Sequence, residues 1–183
     1  MNTTSTDGIE IVPSLGTFHE DPTHKIEHIR LSAEQYALAT QALPVVCTDV
    51  VLVDDKGRFV LSYRKNPAAK GWWWSGGSWK AEFSREESIA KILNRELGFV
   101  PDKVTTLAVF DHFWSTRGEL PHETGRHDII FLHTVQVDEE TIAKINLDPN
   151  EYDAARGFMR YDGTQDVRPA IRRAYELFRS KVA

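Results

Sequence analysis

The chain has 183 residues, 41% hydrophobic and 27% charged, which is enough for one domain with a substantial core and too apolar for a disordered chain. A formal net charge of −5 argues against a general nucleic-acid or anionic-membrane binder, because neutralising phosphate takes clustered Lys and Arg. The single cysteine, Cys47, excludes an internal disulfide; with no apolar run near the roughly 18 residues of a membrane span and no basic-then-apolar leader, a cytoplasmic protein is expected.

Residues 1–30 are polar and aperiodic and read as a partly flexible arm, with Ile9-Glu10-Ile11-Val12 the one candidate for order. Residues 31–183 read as the folded domain. Ser32 opens Ser-Ala-Glu-Gln, in which Ser32 and Gln35 cap one another, so a short helix is expected to about Ala42, closed by Pro44. Val45–Val53 is dense in β-branched residues and reads as a core strand. Asp54-Asp55-Lys56-Gly57 turns the chain, and 58–63 returns as the second strand of a hairpin. Residues 66–71 are loop, followed by Trp72, Trp73, Trp74 and the pair Gly76-Gly77. Ser84 and Glu87 repeat the capping pattern, Ile89, Ile92, Leu93 and Leu97 recur at helical spacing, and Gly98 is a natural stop. A helix over 84–97 follows. Two strands, 104–114 and 128–137, flank the polar loop 115–127; a short helix is expected over 139–145 and a strand over 156–160. Asp166 caps a last helix, 167–181, with Pro169 in its first turn. This order predicts an α/β (α+β) fold, a mixed β-sheet sandwiched by helices, with an N-terminal arm and a C-terminal helix.

Several residues invite chemistry. Asp49 lies amid apolar residues of a core strand, where an isolated carboxylate is costly and a polar partner in a binding site is expected. Arg64 ends the hairpin, and its guanidinium fork suits phosphate. Lys91 and Arg95 are two further cations able to reach phosphate from the helix. Strand alternation divides the tryptophans between core and pocket wall, with Trp74 assigned to the ligand. His112, His122 and His127 surround the polar loop without the spacing of a zinc pair, and His127 is the one taken as a catalytic candidate. Glu82, Glu86 and Glu87 suit the positive end of the helix dipole.

The stretch from Gly76-Gly77 to Gly98-Phe99 resembles the Nudix box: Gly, five residues, Glu, seven residues, then Arg-Glu-hydrophobic-any-Glu-Glu-any-Gly-hydrophobic. Laid from Gly77, Phe83 stands at the first Glu, Lys91 at the Arg, and Ile92 and Arg95 at two further Glu positions. Glu96, Gly98 and Phe99 match, and Glu82 lies one position early. The ending Ile92-Leu93-Asn94-Arg95-Glu96-Leu97-Gly98 is similar to the reduced box of the GDP-mannose mannosyl hydrolase branch. Thr48-Asp49, the run Tyr63-Arg64-Lys65-Asn66-Pro67-Ala68 and the run from Gly71 to Gly77 are similar to that branch too, so the likeness covers about residues 44–160.

The resemblance implies a Nudix fold and a hydrolase acting on a nucleoside diphosphate sugar or a related small-molecule nucleoside diphosphate derivative. It implies one Mg²⁺, or Mn²⁺ in its place, held by the Gly76 carbonyl, Glu96 and Glu151. A single ion agrees with the helix chemistry, because hard ions need convergent oxygens and Ile92 and Arg95 leave only Glu96 on that turn. The family's base position falls on Tyr152 or Asp153, and Ser78 replaces the Arg after the glycine pair. The competing expectation is a catalytically inactive Nudix-fold module that binds a nucleotide-like ligand or a protein partner; it rests on Phe83, Ile92 and Arg95. A homodimer through the arm and first helix is a further expectation.

Overall fold

A nine-residue apolar strand needs cover on both faces, and the chain supplies it by placing helices on either side of one sheet. The computed structural model describes residues 10–12, 20, 23, 26–27, 29–65 and 70–182. In chain order these form β1 (Glu10–Val12), α1 (Ala33–Ala42), β2 (Val45–Val53), β3 (Phe59–Arg64), β4 (Gly71–Trp73) and β5 (Ser75–Ser78). They continue with α2 (Arg85–Leu97), β6 (Lys103–Trp114), β7 (Arg126–Gln136), α3 (Glu139–Lys144), β8 (Phe158–Tyr161) and α4 (Pro169–Val182).

The eight strands among the described residues make one mixed sheet in the order β1-β6-β7-β2-β3-β4, with β5 on β2 and β8 on β3. β1 runs parallel to β6 and β7 parallel to β2, while β6–β7 and β2–β3 are antiparallel. Along β2 the side chains alternate between two cores. Val51 and Val53 join Phe59, Leu61, Leu132 and the α4 residues Ile171, Tyr175 and Phe178 on one face. Val50 and Leu52 join Ile89, Leu93 and Leu97 of α2 on the other. Each such side chain, fully buried, contributes about 1.5–3 kcal/mol of apolar burial.

Both predicted capping boxes are present, Ser32 with Gln35 and Ser84 with Glu87, and Gly98 ends α2 in the left-handed conformation. Two elements differ from expectation. The glycine-tryptophan run is two short strands, paired to β3 and β2 respectively. The last helix starts at Pro169 rather than after Asp166, whose side chain is fully exposed; the fixed φ of proline suits the first helical position. Glu10–Val12, within the stretch that reads as an arm, supplies an edge strand, and Ile11 is buried in the second core. No helix among the described residues is long and apolar enough to cross a membrane.

The site's position follows from one topological detail. Beyond β7, the first half of β2 pairs with β5, Cys47 to Val50 opposite Ser78 to Ser75. Its end pairs instead with β3, Leu52 and Val53 opposite Val60 and Phe59. β3 therefore leaves β2 at Leu61 and continues beside β4 and β8. A cleft opens between the far end of β3, β5 and the start of β2.

Candidate active site

The carboxylate of Glu96 contacts three residues that line this cleft, Arg64, Gly76 and Arg95, and local sequence explains why it is buried. Glu96 lies three and four residues after Leu93 and Ile92, so helical periodicity turns it onto the apolar face of α2, where it is 0% exposed. A carboxylate there needs partners. Its Oε2 accepts the Tyr152 hydroxyl at 2.5 Å and the Gly76 backbone N–H at 3.2 Å. Its Oε1 accepts Arg95 Nη2 at 2.6 Å and faces Arg64 Nη2 at 3.9 Å.

Glu151 approaches the same guanidinium, with Oε2 2.9 Å from Arg64 Nη2. Backbone hydrogen bonds fix this approach. Asn146 and Asp148 donate to the carbonyls of Leu97 and Glu96, tying the 146–153 loop to the end of α2. Lys65 donates to Glu151 and Asp153 to Tyr63, zipping the same loop along the end of β3. Arg64 is almost enclosed as a result. Burial opposes its charge, but Tyr152, Glu96 and Glu151 outweigh that and hold its pKa above the ordinary guanidinium value. Burial likewise pushes the Tyr152 phenol well above its usual pKa.

Asp49, on β2, lines the cleft beside this cluster and accepts the Trp74 indole N–H at 2.7 Å. Burial raises its carboxyl pKa to about 7; the Trp74 bond and Arg64 pull it back, while Glu96 and Asp128 push it further up. The backbone of Gly76 runs directly against Asp49, so a Cβ there would overlap the carboxylate. Gly76→Ala is therefore expected to cost about 1–3 kcal/mol in urea unfolding, as overpacking does. Gly77→Ala, whose Cβ would meet Arg95 and Ile92 at ordinary contact distances of 3.8 and 3.9 Å, is the control, expected to lose under about 1 kcal/mol. Equal losses would refute the close approach.

The cleft holds about 260 Å³ and brings together Asp49, Arg64, Gly76, Arg95 and Glu151. Its outer wall includes Tyr36, Lys80, Glu119 and Arg126. Sequence reading missed this wall. Asp128, 2% exposed, accepts Trp114 Nε1 and both ion-pairs and hydrogen-bonds with Arg126. Arg117 is buried and donates to Ala37 O at 2.8 Å and Thr40 Oγ1 at 2.7 Å, pinning the β6–β7 loop to α1. The only signal for that role was one of two arginines in a polar loop, which ordinarily marks solvent.

The other sequence-predicted residues lie elsewhere. Trp74 is 1% exposed and packs in the core against Trp73, so it positions Asp49 and presents no face to a ligand. Lys91 sits over the Phe83 ring, 4.5 Å from its centroid: two residues at altered box positions pair with each other away from the cleft. His127 stacks on Phe113 and bonds Asp111 at 2.8 Å on the β6–β7 ribbon. Asp153 pairs with Arg156 at 3.1 Å at the surface. Neither His127 nor Asp153 lines the cleft, because strand register and the turn after Tyr152 direct them away. Residues 66–68 of the family-like run lie outside the described residues.

The donor set suits at most one divalent ion. Among the described residues no three acidic, His or Cys side chains cluster as a ligand set. Two carboxylate oxygens, Glu96 Oε1 and Glu151 Oε2, do face one point, and a cationic nitrogen of Arg64 stands there. Hard oxygens around a position already taken by positive charge fit one cation and no more, provided Arg64 yields the place.

The NUDIX domain family profile matches residues 43–178. Among solved structures, the MutT protein of Methanosarcina mazei Go1 superposes with a TM-score of 0.57 at 18% identity, covering 76% of this chain and 96% of that one. A MutT NUDIX hydrolase from Burkholderia pseudomallei gives 0.57 at 23% identity, over 74% and 98%. The NUDIX domain of Shewanella oneidensis NrtR, solved in complex with ADP ribose, gives 0.56 at 12% identity, over 84% and 100%. At these identities the likeness is one of fold. A search of curated proteins finds no match.

Proposed function

This chain belongs to the NUDIX domain family, and we propose that it hydrolyses a nucleoside diphosphate sugar or related nucleoside diphosphate derivative at a site served by a single divalent ion, Mg²⁺ or Mn²⁺. The observation that carries this reading is the convergence of Glu96 and Glu151 on one cation position beside Gly76. Arg64, Arg95, Lys80 and Arg126 line the same cleft and offer donors for phosphate oxygens, balanced in the free protein by Asp49, Glu119, Asp128 and Glu151. The ADP ribose held by the Shewanella NUDIX domain is a compound of this class, and the box ending 92–98 favours the nucleotide-sugar branch.

The residues divide the work. Glu96 and Glu151 would hold the ion, whose charge, when bound, neutralises the departing diphosphate. Arg64 and Arg95 would contact phosphate oxygens, and the Tyr152 hydroxyl holds the Glu96 carboxylate in place. Asp49, fixed by Trp74, bounds the cleft on the β2 side. Asp153 and His127 face away from the cleft in this conformation and are given no part in proton transfer.

One observation favours a second reading, a binding module without turnover: Arg95 stands at a box position where the family has a Glu and neutralises Glu96 at 2.6 Å. A panel of nucleoside diphosphate sugars, followed by phosphorus NMR with and without Mg²⁺, separates the two. Release of intact nucleoside diphosphate that requires Mg²⁺ and is lost in Glu96→Gln supports the hydrolase. No turnover across the panel, with ligand binding unaffected by chelator, overturns it in favour of the module.

A further inference from the structure

We propose that Arg64 is an internal counter-cation which must leave the Glu96–Glu151 pair before a divalent ion enters, so that ion and diphosphate bind each other's form of the protein rather than independently. The inference rests on the single-ion reading above. One nitrogen, Arg64 Nη2, lies 2.9 Å from Glu151 Oε2 and 3.9 Å from Glu96 Oε1. Glu96 Oε2 is occupied by Tyr152 and Gly76, and Oε1, which also accepts Arg95 Nη2 at 2.6 Å, is the oxygen that faces Arg64. Mg²⁺ needs its oxygens at about 2.0–2.1 Å, and two positive centres cannot share that position.

Arg64 is also poised to move. Its Nε is buried without a hydrogen-bond partner, so the guanidinium is held chiefly by charge and not by a complete set of bonds. It ends β3 and lines the cleft, within reach of whatever anion occupies it. A diphosphate offers several anionic oxygens in a geometry that a guanidinium fork matches, a better partner than one oxygen of Glu151. Once Arg64 turns to the diphosphate, Glu151 loses its counter-charge and Glu96 keeps only Arg95, so the two carboxylates share one cation fewer. Two carboxylates so placed repel, and a divalent ion relieves the repulsion. Because linkage is reciprocal, the ligand then raises ion affinity by the same factor as the ion raises ligand affinity.

Mn²⁺ binding to the full chain tests this, read from the free-Mn²⁺ EPR signal, with ADP or GDP present or absent and nucleotide-only samples subtracted. The expected results are weak binding by wild type alone, at least about tenfold tighter binding with nucleotide, and a similar gain in nucleotide-free Arg64→Gln. Arg64→Lys, which keeps the charge, should stay weak. Thermal melts show whether the variants are folded, and the wild-type arm stands without them. Equal wild-type affinity with and without nucleotide, or no gain in folded Arg64→Gln, overturns the proposal while leaving the single-ion site intact. Absence of Mn²⁺ binding by every form, nucleotide included, overturns the single-ion reading and this inference with it.

Discussion

Glu96→Ala is expected to lose about 3–5 kcal/mol of folding stability, the loss typical of breaking a buried charged network by removing one member. The reason lies in what stays behind. The hydroxyl of Tyr152, a residue 1% exposed, would keep only Ser75 Oγ at 3.3 Å, and the Gly76 N–H would lose its acceptor. Arg64 would retain one carboxylate, Glu151, in a nearly closed site. Glu96→Gln preserves shape and acceptor capacity at one oxygen, so it should lose much less stability and still lose turnover. Urea denaturation of both variants is the measurement. A loss below about 1 kcal/mol in Glu96→Ala would mean that the carboxylate does not organise the cleft.

The second large effect is a pair of opposing pH dependences. His133 on β7 is fully buried, and burial, helped by Arg85 and partly offset by Glu86, lowers its pKa from 6.5 to about 4. A depressed pKa means that the unfolded chain binds the proton first. The stability His133 contributes is therefore complete above pH 6.5 and lost as pH falls toward 4, about 3 kcal/mol in all. Asp49 works in the reverse sense. Its carboxyl is raised from 3.8 to about 7, so the folded state binds the proton first and stability falls as pH rises through that interval. Between pH 4 and 6.5 the two nearly cancel in wild type. His133→Gln should expose a profile that declines from pH 4 to 7, and Asp49→Asn one that rises over the same range. Denaturant midpoints measured across pH decide the matter; parallel profiles in the two variants would sink this account.

Much of the fold was legible because its signals are local. Val45–Val53 announced the central strand by composition, and the two capping boxes marked α1 and α2 to within a residue. β4 and β5 were not legible as strands, since three- and four-residue segments of Trp, Gly and Ser carry no period and owe their form to pairing with β3 and β2. Within the site, Glu96, Asp49 and Arg64 stood out as polar residues breaking apolar runs, and the structure gathers all three. Trp74 and Tyr152 were harder to read. An indole or phenol in such a segment serves equally as wall or as buried support, and only the hydrogen bonds to Asp49 and Glu96 decide. Asp153 and His127 looked suitable by type, but their direction depends on a turn and a strand register that no single-residue pattern encodes.

The zipping of the 146–153 loop along β3 and the end of α2 bears on the order in which the molecule is completed. Asp49, Arg64, Gly76 and Glu96 belong to one continuous stretch, a hairpin, two short strands and the helix that follows, although β2 also pairs along its whole length with the later β7. Glu151 and Tyr152 reach the same point only after β6, β7 and α3 have been laid down, closing a loop over the whole second half of the sheet. That closure sacrifices chain entropy before any contact repays it, so it belongs to the slow, long-range phase of folding. Until that closure Glu96 lacks Tyr152 and Arg64 lacks Glu151. The cleft walls from β2, β5, β6 and β7 are closed last by this loop, and a ligand that bridges the loop and those walls would favour the docking step over its reversal.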